Sequence, residues 1–192
     1  MLPTGHLATA YLISQIPIDR KTVLKWYEIV FIMFCGIIFD FDFMIPSLFG
    51  YPVGTHHFLP THTPFAGIIY FIILYLIFRN LFSKKTFILA GIAMLSHMVL
   101  DDLSYWFYLI GLEAPVRAQI FWWYPFDSRM KKETEMMLEL FNSKPWDGND
   151  VIIMHLFKKP RLFFLEIGLP LMALFVFIRN SVRCRSIMKL WQ

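Results

Sequence analysis

Long apolar runs bounded by basic residues recur along this chain, and they limit the folds that it can adopt. They occupy approximately residues 29 to 49, 63 to 78, 86 to 112 and 162 to 178. Each run approaches the roughly 20 residues that a helix needs to cross a bilayer. The sequence therefore predicts an all-α, polytopic membrane helix bundle with four transmembrane helices. A fifth apolar stretch, HLATAYLISQIPI near the start of the chain, predicts either a tilted fifth span or an interfacial helix.

Charge and composition agree with a membrane protein. Of the 192 residues, 57% are hydrophobic, and the net charge is only +4. Lys and Arg lie near the ends of the apolar runs, where lipid headgroups and cytoplasmic loops account for them. We therefore expect one integral membrane domain over residues 1–192, with membrane lipids and no nucleic acid as partners. Cys35 and Cys184 lie in unrelated contexts, so any metal must be held by His and carboxylate side chains.

Residues 113–161 predict an interfacial or soluble loop insertion within this domain. The insertion contains the aromatic piece FWWYPF, residues 121 to 126, which suits the headgroup region. Because basic residues are absent from 50 to 63, the positive-inside rule places that region outside a cytoplasmic (inner) membrane that the chain crosses several times. The basic residues of the insertion argue against this orientation, since the same count places them outside as well.

Four carboxylates occupy positions at which a membrane helix should be apolar. Asp40 and Asp42 end an apolar run in IIFDFDFMIP, and Asp101 and Asp102 lie within GIAMLSHMVLDDLSYWFYLIGL. A central Asp costs about 2.5 to 3.5 kcal/mol to insert, so four of them cost on the order of 10 to 14 kcal/mol without compensation. They could mark helix ends at the headgroups, pair with basic side chains or line a water-filled path. A functional site is the general expectation for such residues.

Histidines accompany these carboxylates. His97 and Asp101 are four residues apart and so share one face of a helix. His57 and His62 flank a proline just before an apolar run, and His6 follows a glycine near the start of the chain. Divalent ions take imidazole nitrogen and carboxylate oxygen, and a structural zinc supplies an apparent ~10 to 16 kcal/mol, comparable to the insertion cost. We therefore expect a metal site at the helix ends, near the outer face of the membrane.

Five short motifs carry a family resemblance. They are GH at 5–6, FDFD at 39–42, HFLPTHT at 57–63, SHMVLD at 96–101 and YPF at 124–126. In order and internal spacing they resemble the membrane-bound metal-dependent hydrolases, a family that includes LexA-binding, inner membrane-associated hydrolases. The chain departs from that family at Phe58 and Leu59, where the family has Arg-Gly, and at Phe39, where it has proline. A more distant likeness, in the His-x-x-x-Asp pair and the Asp/His cluster, is to zinc-dependent phospholipases C.

The resemblance implies a set of metal ligands and a chemistry. The implied ligands of one or two divalent ions, Zn or Mn, are His6, Asp40, Asp42, His57, His62, His97 and Asp101. The expected reaction is hydrolysis of a phosphoester or another ester, in a lipid or a membrane-proximal substrate, by metal-activated water. For the group that takes the proton of that water, Asp42 and Asp102 are the catalytic candidates.

Other interpretations stay open at this point. An ion or proton transporter or channel would line a path with the same carboxylates and His97, and helices broken at proline favour it. A non-catalytic membrane protein would hold a structural metal at the same ligands. A bis-histidine haem bundle needs facing imidazoles within separate helices, and only His97 is plainly within one. We expect His155 to be a packed or interfacial residue and Arg129 to meet headgroups.

Overall fold

The computed structural model describes residues 3–17, 23–44, 48, 57, 59–112, 120–126 and 160–189. Every regular element in these residues is a helix, so the all-α prediction is confirmed for this part of the chain. The helices are α1 (Pro3–Ser14), α2 (Trp26–Ile37), a 3-10 helix (Ile38–Phe43), α3 (Pro64–Phe78), α4 (Lys84–Asp101), α5 (Leu103–Leu109) and α6 (Pro160–Lys189). Most of the predicted 113–161 insertion, with Arg129 and His155, lies outside the described residues.

Side-chain caps fix the starts of α3 and α4. Thr63 accepts a hydrogen bond from the backbone N–H of Ala66, and Pro64 occupies the first helical position. Ser83 caps α4 in the same way. Hydroxyl caps satisfy backbone donors that a helix start leaves unpaired, and proline at the first position sacrifices no hydrogen bond. Because Thr63 is the N-cap of α3, the preceding residue, His62, lies directly before the start of that helix.

Helices α1, α2 and α4 form the centre of the bundle, because each of them contacts the other two. α3 packs on α4, and α6 packs on α1. The shared apolar core includes Ile32, Phe39, Leu89, Ala93 and Met98. α1 and α2 cross closely, since a Cβ at Gly36 would overlap the Cβ of Ala10. Glycine at position 36 therefore lets α1 approach the C-terminal end of α2.

The helix directions bring four helix termini to one end of the bundle. α2 and α4 run parallel, since Glu28 near the start of α2 bonds the start of α4, and Gly36 near the end of α2 bonds His97. α1 and α3 run the opposite way, because His6 and Pro64, in their first turns, lie beside the last turns of α4. The starts of α1 and α3 therefore meet the ends of α2 and α4.

The described helices provide one or two candidate membrane spans. Phe163–Ser181 within α6 is long and apolar enough to cross a membrane, and α4 with α5, bent by 64°, is a second if the pair forms one span. α3 is apolar, but its 15 residues reach only about 22 Å, against a hydrocarbon core of about 30 Å. α2 ends at Ile37, where the chain tightens into the 3-10 helix. The predicted four to five spans are therefore not confirmed.

The outer surfaces of α3 and α6 are nevertheless apolar. On α3, Ile68, Ile72 and Leu76 are 59%, 49% and 58% exposed. In the apolar window of α6, only 6% of the residues are buried. A helix that is apolar around most of its circumference without being buried is typical of a lipid environment. These two helices therefore give the bundle an outer surface suited to lipid.

A buried carboxylate ties α2 to α4 at the end of the bundle opposite His6. Glu28 Oε1 accepts hydrogen bonds from the Thr86 hydroxyl (2.6 Å) and the Ser83 N–H (3.4 Å), and its Oε2 accepts one from the Lys25 N–H (2.9 Å). Burial raises the pKa of Glu28, but these hydrogen bonds outweigh the burial and hold the pKa below its ordinary value. The charged carboxylate therefore joins the two helix starts.

Replacing Glu28 with alanine should lower the free energy of unfolding by about 1 to 3 kcal/mol, because buried donors lose their acceptor. Since the folded pKa is depressed, the contribution of Glu28 is present above its ordinary pKa of about 4.3 and is lost as the pH falls through the folded pKa. Thermal unfolding in detergent, measured at neutral and at acidic pH, reports both effects. Glu28→Gln, which keeps one acceptor oxygen, is the control and should lose less. An unchanged Tm for Glu28→Ala at neutral pH contradicts the prediction.

Candidate metal centre

Six of the seven predicted ligands come together at the end of the bundle where α4 finishes. They form two groups, and within each group the donor atoms lie within 4.8 Å of one another. The first group is His6, Asp40 and His97, and the second group is His57, His62 and Asp101. The donors come from α1, the 3-10 helix, the residues before α3, and α4. The seventh predicted ligand, Asp42, lies one hydrogen bond behind His62.

Asp101 connects the two groups. Its Oδ1 lies 2.9 Å from His6 Nε2, and its Oδ2 lies 3.0 Å from His62 Nε2 and 3.1 Å from His97 Nε2. His57 Nδ1 is 3.6 Å from the same Oδ2. In a tetrahedral zinc site with bonds of about 2.0 to 2.1 Å, neighbouring donor atoms are about 3.3 Å apart. The separations around Asp101 are close to that spacing, and its Oδ2 faces histidines of both groups.

Hydrogen bonds on the far side of two imidazoles orient them towards the centre. His97 Nδ1 donates to the carbonyl oxygen of Gly36 (2.8 Å), and His62 Nδ1 donates to Asp42 Oδ2 (3.3 Å). Thr61 donates its hydroxyl to the same Asp42 oxygen (2.8 Å). The two Nε2 atoms then face each other at 3.3 Å. Metal-binding histidines usually donate their other N–H to a carbonyl or carboxylate in this way, which leaves a lone pair for the ion.

Two of these supporting groups, Gly36 and Thr61, were not predicted. Thr61 lies between the two histidines of HFLPTHT, so its place beside them in the sequence is a signal that could have pointed to it. Gly36 contributes a backbone oxygen, which every residue of an apolar run carries, so the sequence holds no signal for it. Only the approach of α4 to the end of α2 identifies that carbonyl.

Stacked rings fix the imidazoles in place. His6 and His97 stack with ring centroids 3.8 Å apart. The buried ring of Phe39 lies 5.3 Å from His97 and 5.7 Å from His62, centroid to centroid. Phe39, which stands where the resembling family has proline, therefore forms an apolar wall on one side of the histidines.

The residues present fit a divalent cation. Asp42 Oδ1 and His6 Nδ1 are buried and have no hydrogen-bond partner among the described residues. Leaving a buried polar atom unsatisfied costs about 1 to 3 kcal/mol. Asp40, Asp42 and Asp101 also bring negative charge into a buried site, where a charge is costly unless it is paired or coordinates a metal. Nitrogen and carboxylate oxygen donors together suit zinc or manganese.

The centre opens towards solvent at His57. The side chain of His57 is 14% exposed, whereas those of His6, His62, His97 and Asp101 are fully buried. Among these residues, His57 is therefore the one that the surroundings can reach.

The protonation of His62 depends on its carboxylate neighbours. Burial lowers the pKa of His62, but its bonds to Asp101 and Asp42 outweigh the burial and raise the pKa to about 9. Without a metal, the ring is therefore protonated at neutral pH, and its Nε2–H donates to Asp101. Because a metal ion needs that nitrogen deprotonated, binding at neutral pH releases a proton.

Asp102 lies outside both ligand groups. Its Oδ1 accepts the backbone N–H of Ile120 (3.1 Å), and its Oδ2 accepts the indole N–H of Trp122 (2.6 Å). The predicted catalytic candidate therefore anchors the aromatic piece at 121 to 126. Tyr124 in that piece packs against Phe65 in the first turn of α3, with ring centroids 6.2 Å apart. A role for Asp102 as a proton acceptor stays a prediction.

A comparison with protein families identifies the relationship of the chain. The family model described as YdjM inner membrane protein matches residues 1–182. The chain belongs to the YdjM inner membrane protein family. Membership confirms the predicted inner-membrane protein, while the number of membrane crossings and the hydrolase and phospholipase C likenesses stay predictions. No curated protein and no solved structure matches the chain.

The two groups predict that this member of the YdjM family purifies with one or two divalent ions. The double variant His57→Ala, His97→Ala removes one donor from each group, so its metal content should fall to background. Elemental analysis for zinc and manganese in the purified protein measures the content. His155→Ala, which removes a histidine not expected to bind metal, should keep the wild-type content. Equal metal content in the wild type and the double variant would remove the site.

Asp42 is expected to act on metal affinity through His62. Asp42→Asn weakens the acceptor that orients the His62 ring. Replacing a residue that hydrogen-bonds a metal ligand typically lowers metal affinity about 10- to 100-fold. Competition with a chelating dye measures the affinity. Asp102→Asn is the matched control, because it changes a buried carboxylate outside both groups, and it should stay near the wild-type affinity. Equal losses in the two variants would show a general loss of structure instead.

Proposed function

We propose that this inner membrane protein is a metal-dependent hydrolase that acts on an ester, above all a phosphoester, of a lipid or of a molecule held close to the membrane. The observation that carries the proposal is the position of Asp101. One buried carboxylate has three imidazole nitrogens within 3.1 Å: its Oδ1 faces His6 of the first group, and its Oδ2 faces both His97 of the first group and His62 of the second. Two ions held side by side by such a shared ligand are typical of hydrolytic centres.

The number of donors in the second group supports a catalytic site over a purely structural one. With Asp101 shared, the first group would supply four protein donors, whereas the second, His57, His62 and Asp101, supplies three. Structural zinc sites are usually closed by four protein ligands, whereas catalytic sites use three and leave a position for water or substrate. The partial exposure of His57 provides a route by which both could enter.

The residues of the centre would divide the work of hydrolysis. His6, Asp40 and His97 would hold one ion, and His57 and His62 would hold the other, with Asp101 between them. A bound divalent ion lowers the pKa of its water from 15.7 towards about 7, which supplies a nucleophile at neutral pH.

Asp42 is the better candidate for taking a proton from the attacking water. Its Oδ2 is engaged by His62 and Thr61, but its Oδ1 has no hydrogen-bond partner among the described residues and can accept one. Both oxygens of Asp102 already accept hydrogen bonds from Ile120 and Trp122. We therefore assign the proton acceptor to Asp42 and leave Asp102 as the anchor of the aromatic piece.

The proposal is tested by a hydrolysis screen of phospholipids and phosphomonoesters with the full-length protein in nanodiscs. Hydrolysis should require zinc or manganese, stop on chelation and return when the metal is added back. His97→Ala should lower the rate at least about 100-fold, as expected for loss of a group on which metal binding depends. His155→Ala should keep the wild-type rate.

Two results would contradict the proposal. The first is metal-loaded wild-type protein that hydrolyses none of these esters. The second is ion flux in liposomes that survives chelation and is lost in His97→Ala, which would assign the same residues to transport. The orientation of the centre at the outer face, which derives from the basic residues of the sequence, is tested separately by labelling with a reagent that does not cross the membrane.

A further inference from the structure

An apolar groove lies between α3 and α4. It has a volume of about 300 Å³ and is partly open to the surroundings. The residues that line it are Phe39, Pro64, Gly67, Ile68, Phe71 and Leu95, together with Gly91 and two methionines of α4. None of these side chains carries a charge or a strong hydrogen-bonding group. The groove therefore suits an apolar occupant.

Two glycines create this space, one on each helix. A Cβ at Gly67 would lie 2.9 Å from the ring of Phe39, and a Cβ at Gly91 would lie 3.4 Å from the ring of Phe71. The groove is thus narrow, because it is the space left by two absent side chains between helices that contact each other. A second helix, about 10 to 12 Å across with its side chains, is too wide to enter it. The occupant must be slender.

One end of the groove lies next to the candidate metal centre, with the ring of Phe39 between them. Pro64 and Met98, which line one end, directly follow the His62–Thr63 and His97 positions in the chain. Phe39 lines the same end and lies 5.3 Å from the His97 ring. Phe71 lies seven residues beyond Pro64 on α3, and Gly91 lies seven residues before Met98 on α4, so the groove extends about 10 Å along each helix. An occupant of the groove therefore has one end against Phe39, whose ring also packs against His97 and His62.

The open side of the groove lies on the apolar surface of the bundle. Ile68 and Leu95 at its rim are 59% and 55% exposed. In an inner membrane protein, such a surface meets lipid. The slender apolar molecules that are abundant there are the acyl chains of phospholipids.

We propose that the α3–α4 groove binds one acyl chain of a membrane lipid and presents the ester of that lipid to the metal centre. The binding of an acyl chain rests on the groove alone, whereas the presentation of the ester to the metal centre rests on the proposed function. It commits the substrate to an acyl lipid with a chain long enough to enter between Gly67 and Gly91, and excludes water-soluble esters as the main substrate.

Native mass spectrometry of the full-length protein, released from detergent micelles after washing, tests the acyl chain without any turnover. The wild type should retain one phospholipid per chain. Leu95→Trp fills the groove from its rim and should lower the retained fraction at least fivefold, and Ile68→Trp should do the same from the opposite helix. Ile88→Trp is the matched control, because Ile88 is similarly exposed on the same face of α4 but does not line the groove.

The possible results separate the groove from the proposed function. Equal phospholipid retention in Leu95→Trp, Ile68→Trp and Ile88→Trp contradicts the proposal that the groove binds an acyl chain. A wild-type dimer that dissociates in the two groove variants also contradicts it, because a second copy of the chain would then occupy the groove. Metal content and Tm close to wild type in the groove variants show that they have folded. If lipid retention falls in both groove variants but the wild type hydrolyses no phospholipid, the groove stands and the hydrolase proposal fails. If phospholipid hydrolysis occurs and falls at least tenfold in Leu95→Trp but not in Ile88→Trp, both stand.

Discussion

The burial of one carboxylate among imidazoles is the constraint on which the rest of this bundle depends. Asp101 is fully buried and lies within 3.1 Å of nitrogen atoms from His6, His62 and His97. A buried charge is tolerated only when it is paired or coordinates a metal, so each of these histidines must be brought to it. The antiparallel course of α1, the close crossing at Gly36 and the cap that begins α3 all serve that end. The fold can therefore be understood as a scaffold that brings α1 and the residues before α3 to one carboxylate of α4.

Two environments of opposite character meet at this scaffold. On one side, the residues before α3 leave His57 partly exposed, which gives polar groups access to the donor atoms. On another, the ring of Phe39 separates the histidines from an apolar groove between α3 and α4. A molecule that has a polar head and an apolar tail satisfies both environments at once. The same aromatic ring thus helps to order the imidazoles and forms the inner wall of the proposed acyl site.

Much of the centre could be predicted because it follows from spacing. His97 and Asp101 meet since residues four apart share a helix face, and the histidines around Pro60 are close in the chain. Asp40 and Asp42 show the limit of this reasoning. In a 3-10 helix, with three residues per turn, positions two apart point about 120° apart, so one carboxylate joins a ligand group and the other turns to the back of His62. Asp102 likewise points away because α4 ends beside it. The number of spans stays a prediction, since the 3-10 segment after α2 and the 64° bend after α4 interrupt apolar runs at the acidic residues, and hydropathy alone does not show where the helices break.

The bond between His6 and Asp101 joins residues 95 positions apart. During translation the ribosome therefore makes α1, α2 and the acidic residues near position 40 long before the partner of His6 exists. The centre can close only after α4 has been delivered. In the proposed centre, metal binding is then a late step of assembly, and it holds together helices that have already been made.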